Sequence, residues 1–302
     1  MNRYSRTRIA PTPSGFLHLG NILSFTLTAA LAKRTGAKIM LRIDDLDRER
    51  AHERYIQDIF DALHFLQIPW QEGPRNLKEY EEQYSQAHRM DLYNALLQQL
   101  RATGMLFACS CSRSAILQEN PDGSYPGACL HKKLSLDAEG VSWRLRTDLM
   151  QAADIKTGGG TIRAALPRAM HYFVVRKKDR FPAYQLASLA DDLHFGVDLV
   201  VRGEDLWPST IAQHLLARLL SAAPFSDAVF YHHPLLTEAG GRKLSKSAGD
   251  RSVRYFRSRG GRPETVYSAI ARAAGKDVVV KTWEALAEAL RTVEGYRLFY
   301  EQ

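Results

Sequence analysis

Apolar residues near the start of the chain follow the pattern of a strand, a helix and a second strand. Arg8 to Ala10 is a short candidate strand, and apolar side chains recur at helical spacing from about Asn21 to Arg34. Gly36 favours the end of that helix, and Lys38 to Ile43 has the composition of a buried strand. Strand, helix and strand in this order predict a βαβ unit with a right-handed parallel crossover.

A second group of predicted strands and helices begins after residue 186. Val197 to Val201 is an apolar candidate strand, a helix is expected near Ser209 to Leu220, and Val229 to Tyr231 is a further candidate strand. The stretch before this group has polar helical patterns, a cysteine cluster and Gly158-Gly159-Gly160. We therefore predict an α/β fold, a Rossmann-type doubly wound parallel sheet interrupted by an insertion. Ligands of such sheets bind at the carboxyl ends of the strands.

The pattern divides the chain into four segments. The two halves of the Rossmann-type domain are predicted at residues 1–74 and 187–240, and the insertion at residues 75–186. Residues 241–302 are predicted to form a loop and a small C-terminal helical module.

The composition is that of an ordinary globular protein, but the charge is unevenly distributed. The 302 residues are 45% hydrophobic and 25% charged, with a formal net charge of +8 at pH 7, which excludes a disordered or collagen-like chain. Seven of those eight net charges fall between Arg242 and Arg262, where eight cations face only Asp250. One interpretation is a solvated charged face. Tyr255 and Phe256 lie among the arginines, however, and this mixture favours contact with phosphate groups.

The sequence has no stretch that approaches the ~20 apolar residues of a membrane-spanning helix. The first eight residues also lack an apolar segment behind their charges, so a signal peptide is not expected. We therefore expect a cytoplasmic protein without a membrane partner.

The turn after the first predicted strand carries a candidate phosphate site. It has the sequence Pro11-Thr12-Pro13-Ser14-Gly15-Phe16-Leu17-His18-Leu19-Gly20-Asn21 and leads into a helix, whose first N–H groups favour phosphate. Gly20 lets a ligand approach the backbone closely, and His18 adds a hydrogen-bond donor. Neither a dinucleotide-binding G-x-G-x-x-G motif nor a P-loop is present. Taken alone, such a histidine is more often a helix cap or a packed surface residue.

A second motif, Lys243-Leu244-Ser245-Lys246-Ser247, lies in the basic segment. Two lysines separated by hydroxyl groups on a glycine-flanked loop can close over a triphosphate, although short strings of this kind are common in loops. In this order the two motifs resemble the paired signature of class I aminoacyl-tRNA synthetases, H-x-G-[HGN] after the first strand and K-[ML]-S-K-S after the last. Three further strings are similar to the glutamyl branch of that family: Arg8 to Gly15, Arg42 to Asp47, and Tyr184 with Arg202 to Asp205.

The resemblance implies a site for L-glutamate and a site for ATP. The implied glutamate-binding residues, with arginine for the side-chain carboxylate and an acid for the α-ammonium, are Arg8, Ala10, Thr12, Asp44, Tyr184 and Arg202. The implied ATP-binding residues are His18, Gly20, Asn21, Lys243 and Lys246. Of these, His18 and Lys246 are implied to be catalytic, stabilising phosphate charge together with Mg²⁺. Asp44 stands where the family usually has Glu, and Ser188 where it usually has Asn, which suggests a differently tuned amino-acid site.

The three cysteines, Cys109, Cys111 and Cys129, cluster within the predicted insertion. An odd number in a cytoplasmic chain argues against disulfides, and C-x-C with a third cysteine suits a tetrahedral Zn²⁺ that needs one more ligand. The candidates are Tyr125 and His131, of which imidazole is the commoner ligand. The pattern C-x-C…Y-x₃-C resembles the short glutamyl-Q synthetases and implies Cys109, Cys111, Tyr125 and Cys129. The alternative is three reduced thiols without a metal.

The resemblance to the glutamyl-Q branch also implies a particular RNA. Members of this branch activate glutamate as glutamyl-adenylate and transfer it to the queuosine base in the anticodon of tRNA(Asp). About 55 residues follow the second motif, fewer than a discriminating glutamyl-tRNA synthetase needs for its anticodon-reading region. The implied protein is a monomer with an acceptor-binding-like insertion, and its C-terminal module contacts the RNA stem through Arg251, Arg254 and Arg257. Two alternatives stay open: a glutamyl-tRNA synthetase, ordinary or truncated, that charges tRNA(Glu), and a non-catalytic paralogue that binds RNA.

Overall fold

The computed structural model describes residues 3–236 and 252–299, and the chain divides into two compact units. The first unit is assigned Met1–His88, Val197–Asp205 and Val229–Gln302, and the second is assigned Arg89–Gly196 and Leu206–Ala228. Each unit therefore combines segments that are distant in the sequence. The four predicted segment boundaries stay a prediction.

The described residues form nine β-strands and eleven α-helices. The strands are β1 (Arg6–Ile9), β2 (Lys38–Leu41), β3 (Leu106–Cys109), β4 (Ser142–Leu145), β5 (Ala153–Thr157), β6 (Gly160–Ala164), β7 (Val174–Arg176), β8 (Leu199–Gly203) and β9 (Val229–His233). The helices are α1 (Leu19–Thr35), α2 (Glu53–Phe65), α3 (Leu77–Glu79), α4 (Met90–Ala102), α5 (Arg113–Glu119), α6 (Tyr184–His194), α7 (Trp207–Leu219), α8 (Ala223–Asp227), α9 (Val253–Ser258), α10 (Pro263–Ala273) and α11 (Trp283–Leu290). Short 3₁₀ or π turns occupy Tyr80–Tyr84, Gln86–Arg89, Thr147–Leu149, Arg168–Met170, Glu204–Leu206 and Glu294–Phe299.

A parallel arrangement of strands forms the centre of the first unit. The strand order is β2–β1–β8–β9, and all three neighbouring pairs are parallel. This confirms the predicted βαβ unit and the Rossmann-type class. Strand β2 ends at Leu41 instead of the predicted Ile43. Its partner β1 runs into Pro11, which has no amide hydrogen with which to continue the ladder.

Helix α1 is buried on most of its surface. Eleven of its 17 residues are buried, because it packs against strands β1 and β8 and against helices α10 and α11 of the same unit. The helix ends at Gly36, as the sequence predicts. Gly36 adopts the left-handed conformation, with φ of 82°, and its N–H donates to the Ala32 carbonyl. The predicted C-terminal helical module corresponds to α9, α10 and α11 of this unit.

The second unit contains a three-stranded antiparallel sheet, β3–β4–β7, and the antiparallel hairpin β5–β6. Helices α4 and α6 pack together and are joined by buried polar groups. Arg89 donates to Asp191 over 2.7 Å, and the Tyr93 hydroxyl donates to the same carboxylate over 2.7 Å. These bonds orient α4, which forms one wall of a cavity discussed below. In the part of the chain that is described, no helix is long and apolar enough to cross a membrane.

Candidate active site

His18 caps helix α1 and is fixed in orientation by that role. Its Nδ1 accepts a hydrogen bond from the Gly20 N–H over 3.1 Å, and the Asn21 side-chain oxygen accepts one from the His18 N–H over 3.1 Å. Because Nδ1 acts as an acceptor, the proton of the neutral ring is assigned to Nε2. The cap places the imidazole at a helix N-terminus, where anions are favoured.

Gly20 lies in close contact with the His18 ring. A Cβ atom at residue 20 would lie 3.0 Å from His18 Cε1 and 3.1 Å from Nδ1, closer than ordinary van der Waals contact. The sequence predicts that Gly20 lets a ligand approach the backbone closely. The structure adds a reason within the protein, since the glycine makes room for the capping imidazole.

The chain that follows the second motif returns to the first motif. Ser252 forms an antiparallel bridge with His18, and the Val253 N–H donates to the Leu17 carbonyl over 2.8 Å. The start of α9 is thereby attached to the residues before α1. Three residues of this basic segment that are predicted to contact phosphate or RNA lie outside the described residues: Lys243, Lys246 and Arg251.

Two buried arginines lie towards the carboxyl ends of the parallel strands. Arg8 of β1 is 5% exposed and donates to the Val201 carbonyl over 3.2 Å, and Arg202 of β8 is 4% exposed with its guanidinium 5.1 Å from the Phe230 ring centre. His232 is the β9 partner of Arg202. Burial first, and then the positive charges of Arg202, the adjacent histidine and Arg8, lower the pKa of His232 to about 3. This region therefore has a positive potential that suits an anionic ligand such as a carboxylate.

Asp44, the predicted partner of an α-ammonium group, is held by Arg42. Arg42 Nε and Nη2 donate to the two Asp44 oxygens over 2.7 and 3.0 Å, and both side chains are buried. Each carboxylate oxygen has a second lone pair, so Asp44 can still accept from an ammonium group. Nearby in the sequence, Ala10 is partly buried and Thr12 is exposed.

Tyr184 and Ser188 belong to the second unit. Tyr184 is the first residue of α6 and is 41% exposed, whereas Ser188 is buried one turn further along. The other predicted glutamate-binding residues belong to the first unit. The gathering of the whole set in one pocket therefore stays a prediction.

Arg254 and Arg257 of α9 have different surroundings. Arg257 Nη2 donates to Asp58 Oδ1 and to Asp61 Oδ2, each over 3.0 Å. Asp58 is 2% exposed, and burial raises its pKa against the opposing effect of Arg257. Arg254 is exposed and lies 4.4 Å from the centre of the Phe16 ring. Arg257 thus ties α9 to α2, whereas Arg254 presents its charge to solvent; contact of either residue with RNA stays a prediction.

The three cysteine sulfurs come together in the second unit, within 4.8 Å of one another. Cys111 Sγ is 3.5 Å from Cys129 Sγ, and the Tyr125 hydroxyl is 3.3 Å from Cys109 Sγ. Tyr125 is also buried, whereas His131 is exposed and does not belong to this group of metal-ligating atoms. The geometry therefore favours Tyr125 over His131 as the fourth group.

The thiols of this cluster have unequal affinities for a proton. Burial raises the pKa of Cys129, but hydrogen bonds from Ser110, Tyr125 and Cys111 outweigh it and lower that pKa to about 6. Burial and the neighbouring sulfurs raise the pKa of Cys111 to about 11. Crowded thiolates repel one another, so a divalent cation would stabilise the ionised cluster.

Sequence reasoning missed three residues of this region. His232 could have been found, because it follows an apolar strand where parallel sheets bind ligands. Arg42 lies two residues before Asp44, but the sequence did not indicate that they pair. Asp58 gave no signal, since a lone acid on an amphipathic helix is ordinarily solvated.

We expect Gly20→Ala to displace the His18 ring from its capping position. The loss of the cap should lower the free energy of unfolding by about 1 kcal/mol. It should also slow the glutamate-dependent ATP–pyrophosphate exchange implied by the sequence. Gly15→Ala is the matched control, since a Cβ at residue 15 meets no atom within 4 Å. Equal unfolding midpoints and exchange rates in the two variants would contradict the assignment.

The variants Arg257→Ala and Arg254→Ala should distinguish a side chain that bonds α9 to α2 from a side chain whose charge faces solvent. Arg257→Ala leaves Asp58 buried without its arginine and should lower the free energy of unfolding by about 2 kcal/mol. Arg254→Ala removes an exposed contact with Phe16 and should cost less than about 1 kcal/mol, while making RNA binding weaker and less salt-dependent. Urea unfolding and RNA titrations at several salt concentrations measure both effects. Equal losses of stability in the two variants would argue against a stabilising contact between Arg257 and Asp58.

Comparison with known proteins places this geometry in a family. Residues 5–289 match the family described as tRNA synthetases class I (E and Q), catalytic domain. The chain is 36% identical over 255 residues to the glutamyl-Q tRNA(Asp) synthetase of Synechococcus sp. (strain CC9605), which covers 84% of this chain and 78% of that protein. It is 33% identical over 284 residues to glutamate–tRNA ligase 2 of Nitrosococcus oceani, covering 88% of this chain but 58% of the relative.

A solved structure shares the fold of this chain. A crystal structure of glutamate–tRNA synthetase from Elizabethkingia anophelis matches 98% of this chain and 66% of that chain, with a TM-score of 0.74 and 22% identity. At this identity the likeness concerns the fold alone. Since the family match extends over nearly the whole chain, and the described first motif caps the first helix of a Rossmann-type sheet, this protein belongs to the class I aminoacyl-tRNA synthetases of the E and Q type, a family of ligases.

Proposed function

We propose that this protein activates L-glutamate with ATP and transfers it to the queuosine base of tRNA(Asp), acting as a monomer in the cytoplasm. The observation that carries the proposal is the positive region formed by Arg8, Arg202 and neutral His232. Two buried guanidinium groups at the carboxyl ends of parallel strands suit the side-chain carboxylate of an acidic amino acid. Asp44, oriented by Arg42, supplies the acid for the α-ammonium group.

The ATP phosphates would bind at the amino end of α1. There the His18 imidazole stands at the start of the helix, and the aligned N–H groups of the first turn add partial positive charge. Lys243 and Lys246 are assigned to the same phosphates by the second motif. Mg²⁺ bound to ATP would share the phosphate charge.

The proposed reaction has two transfers. A glutamate α-carboxylate oxygen attacks the α-phosphorus of ATP, the bond to the β-phosphate oxygen breaks, and pyrophosphate leaves glutamyl-adenylate behind. A hydroxyl group of queuosine then attacks the activated carbonyl carbon, AMP leaves, and the hydroxyl proton is released. The residues of the site act by positioning and charge stabilisation, without a covalent protein intermediate.

The choice of RNA rests on two supports. The sequence C-x-C…Y-x₃-C folds into one compact cluster, and this pattern is the one that resembles the glutamyl-Q branch. The Synechococcus relative also carries the glutamyl-Q tRNA(Asp) synthetase name. The alternative function is charging of tRNA(Glu), and it is supported by relatives that are named glutamate–tRNA ligase. A non-catalytic RNA-binding role is supported by the unusual Asp44, because both of its carboxylate oxygens already accept hydrogen bonds from Arg42.

A transfer assay should separate these functions. Protein, ATP and labelled glutamate are incubated with tRNA(Asp) that contains queuosine, with unmodified tRNA(Asp) and with tRNA(Glu). We expect label on the queuosine form alone, including a version that lacks the 3′-terminal adenosine, because the acceptor is the anticodon base. Label on tRNA(Glu) would instead establish the rival ligase, and absence of both transfer and pyrophosphate exchange would establish the non-catalytic role.

A pair of arginine variants tests the glutamate site in the same assay. Arg8→Gln should reduce glutamate-dependent exchange by about 100-fold, since one charge-stabilising contact is lost. Arg163→Gln changes an exposed arginine of β6 and should leave the exchange unchanged. Thermal unfolding of both variants checks that each is folded.

We further propose that Cys109, Cys111, Cys129 and Tyr125 hold Zn²⁺. A tetrahedral ion with Zn–S bonds of about 2.3 Å places its sulfurs about 3.8 Å apart. Sulfurs that all lie within 4.8 Å of one another fit such an ion after small adjustments. The bound ion would crosslink the end of β3 to the loop that carries Tyr125 and Cys129, which is a structural role.

Metal analysis of protein prepared without chelators should find about one zinc per chain. Cys111→Ser should lose the metal and lower the unfolding midpoint, because a closed structural site supplies folding free energy. His131→Ala is the control and should keep the metal, since the exposed His131 lies outside the cluster. Zinc at background level in the unchanged protein would refute the site.

A further inference from the structure

A cavity of about 280 Å³ lies in the second unit, between α4 and the turn that follows β7. Its lining combines side-chain amides, aromatic rings and arginines: Asn94, Gln98, Trp143, Arg176, Arg180 and Phe181. The volume lies just below the range of about 300–1,000 Å³ that is usual for small-molecule sites. An occupant would therefore be of about the size of one nucleotide. None of these residues takes part in the glutamate, ATP or zinc sites described above.

Arg176 supplies a fixed positive charge to this cavity. Its guanidinium lies 3.9 Å from the centre of the Trp143 ring, and Nη2 donates to the Leu136 carbonyl over 3.3 Å. Its Nε is buried and meets no acceptor within the described parts of the chain. Burial, and then the like charge of Arg180, lower the pKa of Arg176. An anion in the cavity would relieve this repulsion and offer the missing acceptor.

Arg180 occupies a position where the backbone favours glycine. It lies in the tight turn in which the Lys177 N–H donates to the Phe181 carbonyl over 2.8 Å, and its φ is 71°. Residues other than glycine are disfavoured at this φ, and such strain is found at functional sites. Arg180 is exposed and makes no ion pair with a described residue. A cation therefore stands at the rim of the cavity on a backbone conformation that glycine would adopt more easily.

The acidic residue at the rim does not cancel these charges. Asp179 forms an ion pair with Lys177 over 3.0 Å and accepts a hydrogen bond from the Phe181 N–H over 3.0 Å. Both interactions lie within the turn and stabilise it. Asp137 also acts on Arg176, but its two carboxylate oxygens accept hydrogen bonds from Arg101. Arg176 and Arg180 are the two cations that line the cavity.

The opposite wall presents groups that can bind a base. Asn94 and Gln98 are four residues apart on α4, so their amides lie on the same helix face. Amides of this kind pair with base edges, and the Phe181 ring offers a surface for stacking. We propose that this cavity binds one unpaired nucleotide of the RNA substrate, with its phosphate on Arg176 and Arg180 and its base between Phe181 and the two amides. The proposal rests on the RNA partner proposed above.

The variant Arg180→Gly distinguishes a role of Arg180 in RNA binding from a purely structural role. The glycine relieves the backbone strain, so the unfolding midpoint should rise, while the affinity for labelled tRNA(Asp) should fall by about 3- to 10-fold. The slope of log K against log salt should become shallower by about one, because one phosphate contact is lost. Fluorescence anisotropy at several salt concentrations measures both quantities without requiring catalysis.

Lys133→Gly is the matched control. Lys133 is an exposed cation of the same unit with φ of 49°, and it does not line the cavity. This variant should also gain stability, but it should bind RNA with the affinity and salt slope of the unchanged protein. A second variant, Gln98→Ala, should weaken RNA binding without changing the salt slope, because it removes an uncharged contact.

The outcomes separate this inference from the proposed function. If the unchanged protein transfers glutamate to RNA and Arg180→Gly binds RNA with the same affinity and slope, only the nucleotide site is overturned. If Arg180→Gly loses binding of free AMP but keeps RNA binding, the cavity belongs to a free nucleotide, which also overturns the RNA assignment. RNA binding that depends on Arg180 in a protein without transfer activity supports the cavity and rejects the proposed reaction.

Discussion

The amino end of helix α1 is the constraint on which the candidate active site depends. There one imidazole nitrogen of His18 accepts the Gly20 N–H, so the ring cannot turn without breaking the cap. The residue before it, Leu17, accepts the Val253 N–H, which brings the start of α9 to the same place. An imidazole held in this way is already oriented, so the phosphate binding that we propose here would need little reorganisation. A Cβ atom at residue 20 would crowd this ring, so the glycine supports the cap.

Two buried arginines mark the carboxyl edge of the parallel strands in the first unit. Burying a guanidinium costs several kcal/mol unless oxygen acceptors surround it, so a protein core rarely contains two arginines at one edge. Arg8 and Arg202 are both buried at this edge, and their charges add to the effect of burial in lowering the pKa of His232 to about 3. Arg42 and Asp44 form the complementary pair in the loop after β2. These are the two positions at which we propose that glutamate binds, with its side-chain carboxylate at the arginines and its α-ammonium group at Asp44.

The three-stranded sheet of the second unit separates two candidate sites. Successive residues of a strand point to opposite faces, and β4 shows this directly. Arg144 lies 3.8 Å from the ring centre of Tyr125, on the side of the cysteine cluster, whereas the next-door Trp143 lines the cavity. A metal ion on one face would stiffen the sheet that carries the nucleotide cavity on the other. The two proposals are thus physically related, although each stands on its own contacts.

The sequence by itself determined the βαβ unit, the end of α1 at Gly36 and the clustering of the cysteines, because periodicity, glycine conformation and spacing act over a few residues. It also identified the family through two motifs far apart in the chain. Only the tertiary structure decided that Arg257 contacts Asp58, that Tyr125 and not His131 lies beside the sulfurs, and that His232 adjoins Arg202. Such contacts join residues from distant segments, and packing selects them. No local sequence pattern predicts which side chains come into contact when α9 packs against α2 or when β9 pairs with β8.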